Sequence, residues 1–231
     1  MEKRRLGRTG LRVSVLGFGG SEIGYEGASQ ATVDRLLSSA LDAGLNVIDT
    51  AECYEKSEQL IGGALGARRS ACFVFTKCGH AGGWGRADWR HAPILASIER
   101  SLERLRTDHV DLVQLHSCGE DVLRRGEAIR ALQTARDRGL TRFIGYSGDG
   151  AAARYAVESG AFDTLQTSLN VAEQEPLTST LPLAIEREMG VIAKRPIANA
   201  AVAASRRPSS GSYGYEYWRR LQKLDYDFMK R

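Results

Sequence analysis

The sequence predicts an α/β fold, a (β/α)8 barrel of parallel strands, and three observations carry that prediction. Short apolar runs rich in β-branched residues alternate with helix-period segments along most of the chain. Four helical segments end alike, in DAG-LNVI, DRG-LTRFI, ESG-AFDTL and EMG-VIA, with Gly44, Gly139, Gly160 and Gly190 placed to turn helix into strand. Polar residues close several different strands, as they do where a barrel builds its pocket.

In chain order, RRLGRTGLRVS predicts a small hairpin about a Thr-Gly turn. VSVLGFG (13–19) reads as the first strand of the sheet. NVIDT (46–50), CFVFTK (72–77), VDLVQLH (110–116), RFIGYS (142–147), DTLQTSL (163–169) and GVIAKR (190–195) read as the next six. Val33, Leu36, Leu37, Ala40 and Leu41 mark one face of a helix between the first two. Ile94, Leu95, Ile98, Leu102 and Leu105 do so before the fourth strand, and Ala128, Ile129, Leu132 and Ala135 before the fifth. Near-continuous apolar strands joined by crossover helices imply a parallel sheet covered by those helices.

A doubly wound dinucleotide-binding sheet is the competing architecture, and it needs G-x-G-x-x-G after its first strand. LGFGGSEIG supplies Gly17 and Gly19, but Glu22 stands where the third glycine belongs. The barrel therefore fits better, although seven strands are one short of eight. Without an eighth, the first and seventh face each other across a seam of unpaired backbone groups. The expectation is a single barrel domain over 1–231, C-terminally incomplete before its eighth strand, with 206–231 as flexible loop and helix. RRPSSGSYGYEYW (206–218) reads either as a flap over the cleft or as a linker.

Of the 231 residues, 42% are hydrophobic and 26% charged, enough for a packed core and unlike a disordered chain. The net charge of +4 is located in 206–231, where seven Lys and Arg face three acids. The rest is neutral, which argues against a nucleic-acid partner. Those terminal cations suit a phosphate-rich ligand or a solvated segment equally. Cys53, Cys72, Cys78 and Cys118 show no paired spacing and read as reduced thiols of a cytoplasmic protein. No run is long enough to span a membrane, and MEKRRLGRTGLRV lacks the apolar core of a secretion signal. His80, His91, His109 and the cysteines have no metal-ligand spacing, so no metal site is expected.

The chemistry is concentrated at the strand ends. Asp49 ends the second strand, Lys77 the third and His116 the fourth, while Tyr54 lies in the loop after Asp49. In a barrel, side chains at these positions share one pocket. A tyrosine titrates near pH ~10, too high for efficient proton donation at neutrality. An ammonium beside it favours the phenolate and lowers that value. Lys77 can supply the cation, Asp49 can hold Lys77 charged, and His116 can orient a substrate oxygen. Together they form a general acid aimed at a carbonyl, or a base for an alcohol. Taken singly each residue has a plainer reading: a helix cap for Asp49, an ion pair for Lys77, a core histidine for His116, a packing aromatic for Tyr54. GHAGGWGRADW (79–89) lies on the same face, and Trp84 or Trp89 could wall a substrate or pack beneath the loop.

D-x-x-x-x-Y at 49–54, the lysine closing FVFTK at 77 and the histidine closing DLVQLH at 116 resemble the tetrad of the aldo/keto reductase family, in order and strand context. LGRTGLRVSVLGFGG and SIERSLERLRTDHVDLVQLH resemble the same family, and the similarity extends to about residue 200. The resemblance implies an NAD(P)H-dependent oxidoreductase reducing a small aldehyde or ketone, with Tyr54 as proton donor and NADP(H) favoured over NAD(H). It further implies that Ser147 and Gln166 contact the nicotinamide carboxamide and that Arg195 reaches the pyrophosphate. The family commonly has Asn after that serine, where this chain has Gly148. It commonly has an aromatic at the position of Lys194. A non-catalytic, cofactor-binding regulatory subunit on the same fold is the alternative.

Overall fold

A computed structural model describes residues 1–204, 206–212 and 214–224. The chain opens with the expected hairpin: β1 (Lys3–Arg5) pairs antiparallel with β2 (Arg12–Ser14), Lys3 lying opposite Ser14. The single first strand expected over 13–19 is corrected, because Asn46 clamps its first part to the hairpin. The Ser14 amide donates to Asn46 Oδ1 at 2.6 Å, and Asn46 Nδ2 donates to the Arg12 carbonyl at 3.0 Å. Only Phe18–Gly19 join the main sheet, as β3.

Six more strands follow: β4 (Val47–Asp49), β5 (Phe73–Cys78), β6 (Val110–His116), β7 (Thr141–Ser147), β8 (Thr164–Ser168) and β9 (Gly190–Lys194). The seven run parallel in sequence order from β3 to β9 and curl into a half-barrel. Among the described residues β3 and β9 each pair on one side only, leaving an open seam between them. After β3 come α1 (Ser21–Tyr25) and α2 (Gln30–Asp42), and after β4 comes α3 (Ser57–Leu65). α4 (His91–Leu105), α5 (Glu120–Arg125), α6 (Glu127–Asp137) and α7 (Gly150–Glu158) link the next strands. α8 (Pro176–Ser179) and α9 (Leu181–Glu186) precede β9, and α10 (Tyr215–Leu224) comes last.

Three of the four glycine stops behave as predicted, Gly44, Gly139 and Gly160 taking φ of +87°, +74° and +68°. Gly190 does not. Glu188 takes the left-handed turn at φ +53°, and Gly190 is the first residue of β9. A Cβ there would lie 2.7 Å from Leu6 Cγ, so glycine is needed for the close approach of the hairpin.

Side chains alternate across a strand, and this chain uses the two faces differently. Ile48, Val74, Val113, Leu115, Ile144 and Leu165 point outward, into the large core beneath the helices. Val47, Phe75 and Leu112 point inward and, with Leu6 and Leu11 of the hairpin, close one end of the barrel. Two residues beyond each inward apolar position, at the other end, come Asp49, Lys77 and Gln114. The register sets His116 beside Ser147, Ser147 beside Gln166, and Ser168 beside Lys194. One parity rule thus places the whole polar cluster inside the sheet at the strands' C-terminal ends.

The expected loop and helix over 206–231 includes α10, whose Tyr217 and Leu221 pack on Ala198 and Ala201. The remainder, 225–231, lies outside the described residues. No described helix is long and apolar enough to cross a membrane. All four cysteines are buried free thiols. Among the described residues no group of three or more His, Cys, Asp or Glu is arranged to hold a metal ion.

Candidate active site

Asp49, Tyr54, Lys77, His116, Ser147 and Gln166 all border one cleft of about 640 Å³, as do Lys194 and Arg195. Lys77 donates through Nζ to Asp49 Oδ2 at 2.6 Å and to the Thr50 carbonyl at 2.9 Å. The Lys77 side chain is 2% exposed and that of Asp49 19%. Burial alone pulls the lysine pKa down, but the charges of Asp49 and Tyr54 more than offset it, and the net direction is upward. The ammonium sits 5.2 Å from the centre of the Tyr54 ring. The chain thus brings cation and phenol side by side.

His116 presents its ring edge-on to Tyr54, centroids 5.7 Å apart. Its pKa falls well below 6.5, first through burial and then through the positive charges of Lys77, Lys194 and Arg195 and a neighbouring His80. The imidazole is therefore neutral at physiological pH. His80 Nε2 donates to the His116 carbonyl at 2.8 Å, anchoring the 79–89 loop to the strand end. In that loop Trp84, 63% exposed, stacks on His80 and borders the cleft, whereas Trp89 packs underneath against Gly79.

The loop carrying Tyr54 hangs from buried carboxylates that sequence reasoning missed. Glu52 binds Ser97 Oγ and accepts from Arg100 Nε at 2.9 Å. Glu58 accepts from Thr76 Oγ1 at 2.6 Å and faces Arg104 at 3.4 Å. Ser57 Oγ lies 2.8 Å from Thr50 Oγ1 and donates to the Gly20 carbonyl at 2.7 Å. The only signal available was the presence of two acids in a stretch flanked by apolar residues. It named no partners.

On the other side of the cleft Ser147 Oγ donates to Gln166 Oε1 at 2.8 Å, both side chains being buried. Lys194 Nζ pairs with Asp149 Oδ2 at 3.1 Å, and Asp149 also accepts from the Ser168 amide at 2.7 Å. Arg195 Nη1 donates to Ser168 Oγ at 3.3 Å. Asp149 was not singled out from the sequence, since its partner lies on another strand. This wall offers a buried amide–hydroxyl pair and two cations, donors and acceptors that suit a carboxamide and an anionic ligand.

A parallel half-barrel with a polar cluster at its strand ends defines a (β/α)8-type protein whose pocket lies where such enzymes place theirs. The aldo/keto reductase family model matches residues 15–224. YqkF, an uncharacterized oxidoreductase of Bacillus subtilis, is 30% identical over 207 residues, which cover 86% of this chain and 65% of that protein. The holo form of an aldo-keto reductase from Bacillus halodurans has a TM-score of 0.81 at 27% identity, covering 100% of this chain and 80% of that one. An aldo-keto reductase from Klebsiella pneumoniae, solved in complex with NADPH, has a TM-score of 0.74 at 25% identity, covering 87% and 69%. This chain belongs to the aldo/keto reductase family, a family of oxidoreductases. It spans just under two thirds of the length of YqkF.

Proposed function

We propose that this protein reduces a small aldehyde or ketone to the alcohol with a nicotinamide cofactor, NADP(H) in preference to NAD(H). The observation that carries the reading is the ion pair of buried Lys77 with partly buried Asp49, its ammonium 5.2 Å from the centre of the Tyr54 ring. Lys77 favours the phenolate and so eases release of the Tyr54 proton to a carbonyl oxygen. Asp49 keeps Lys77 charged, and neutral His116 donates a hydrogen bond to the same oxygen. Ser147 and Gln166 would hold the carboxamide of the cofactor, and Arg195 its pyrophosphate. When bound, a reduced nicotinamide supplies the hydride. Trp84 gives the substrate side of the cleft an aromatic wall. The NADPH complex of the Klebsiella pneumoniae relative supports the cofactor choice. Four buried free thiols fit a cytoplasmic location.

The test is NADPH oxidation against a panel of aldehydes, with Tyr54→Phe as control. Loss of the proton donor is expected to lower kcat by roughly 10²–10⁴-fold while NADPH still quenches tryptophan fluorescence. Unchanged turnover in Tyr54→Phe would remove the mechanism. Tight NADPH binding by a wild-type chain that turns over no carbonyl would favour the regulatory-subunit reading.

A further inference from the structure

Next to Tyr54 on the same loop is Cys53, for which the scheme above has no use. Its Sγ lies 3.4 Å from Nδ1 of His116. Cys53 is 8% exposed and His116 6%, so little water competes for either atom. Burial raises the thiol to about 11, partly opposed by Lys77, so at neutral pH the sulfur keeps its proton. The imidazole beside it is neutral and carries one N–H and one lone pair. Of the two arrangements, S–H to N is favoured, because a ring nitrogen accepts far better than a thiol sulfur. The ring proton then belongs on Nε2. That nitrogen has no protein partner among the described residues and is not a buried orphan, so it borders the cleft. The remaining neighbours of the ring are the edges or faces of Tyr54, His80 and Trp84, none of which bonds to Nδ1.

We propose that Cys53 is a positioning residue that sets the tautomer of His116, its Sγ–H donating to Nδ1 so that Nε2–H points into the cleft toward the substrate oxygen. This rests on the carbonyl-reduction reading for its purpose, but not for its geometry. Without the thiol, Nδ1 can take the proton, and a fraction of the imidazole then turns a bare lone pair toward a substrate oxygen that is itself an acceptor. That fraction cannot grip the carbonyl.

The experiment is ¹H–¹⁵N multiple-bond NMR on the histidine-labelled 231-residue chain, wild type beside Cys53→Val and Cys53→Ser. The wild type is expected to show His116 protonated on Nε2, Cys53→Ser to keep that state, and Cys53→Val to shift part of the population to Nδ1–H. In parallel, kcat/KM for an aldehyde is expected to fall roughly fivefold in Cys53→Val, the value of one buried hydrogen bond. KM for NADPH should stay fixed, and Cys53→Ser should recover most of the loss. A wild-type His116 protonated on Nδ1, or a tautomer unmoved in Cys53→Val, overturns the proposal whatever the activity. An Nε2–H tautomer that moves in Cys53→Val, in a chain that reduces no carbonyl, upholds the thiol's hold on His116 and counts instead against the reductase reading.

Discussion

A buried lysine stays charged only where something holds it so, and here that is Asp49 at 2.6 Å. Remove the carboxylate charge and burial, the largest influence on Lys77, acts with less opposition. In Asp49→Asn the Lys77 pKa is therefore expected to fall. Lys77 is a base with a folded pKa above its unfolded 10.5, so its stabilising contribution is complete below that value and lost only as pH rises through the folded pKa. At neutral pH the wild type holds the whole of it. Asp49→Asn should thus be destabilised by about 3 kcal/mol in urea unfolding, since the buried Lys77 ammonium is left without its counter-charge. Its kcat/KM profile should lose activity at a lower pH on the alkaline side than the wild type does. A profile identical to wild type would mean that the ammonium plays no part in tuning the phenol. At this scale Asp49, Tyr54, Lys77 and His116 were legible because each ends or follows a strand on the inward parity. Cys53 was not, because its use depends on a histidine 63 residues away.

The element that decides the site's precision is the loop from Thr50 to Lys56, hung between β4 and α3. Glu58 reaches from α3 into β5, bonding Thr76 and facing Arg104 of α4, so three elements meet on one carboxylate. Burial pushes its pKa above 4.5, with Thr76 and Arg104 pulling the other way. An acid whose folded pKa is raised adds stability below that pKa relative to above it, and the gain is lost as pH rises from 4.5 through the folded value. Glu58→Gln keeps an acceptor for Thr76 without the charge, and is expected to remove that slope while changing neutral-pH stability by no more than about 1 kcal/mol. Glu58→Ala leaves Thr76 and Arg104 without their partner and should be less stable by about 3 kcal/mol. Denaturant melts between pH 4 and 8 measure both, and a Glu58→Gln slope matching wild type would show that the carboxyl titrates alike in the folded and the unfolded chain. The split of residues 13–19 into β2 and β3 escaped the sequence for a related reason. The Asn46 clamp joins positions 32 apart in the chain, and local periodicity carries no trace of it.

At the scale of the molecule, the cleft is shared by the two ends of one open sheet. Asp49, Tyr54 and Lys77 come from its early strands, Lys194 and Arg195 from its last, and among the described residues no strand pairing joins β3 to β9. Order along the sheet was readable from the rhythm of the sequence, since every strand neighbours the next in parallel. The open seam followed from counting strands. A ligand held by both ends couples them, and anything that binds the folded chain alone stabilises it by mass action. At a hundredfold excess over Kd the gain is about 2.7 kcal/mol, roughly 5–11 °C in Tm for a chain of this size. NADPH is therefore expected to raise the melting temperature by that order, and NADH by less. Arg195→Ala should lose most of the NADPH shift, because Arg195 borders the cleft beside Ser168, to which its Nη1 donates at 3.3 Å. A full NADPH shift in Arg195→Ala would take the anionic part of the cofactor off Arg195, and Lys194 at the end of β9, held by Asp149 at 3.1 Å, would be the next cation to test.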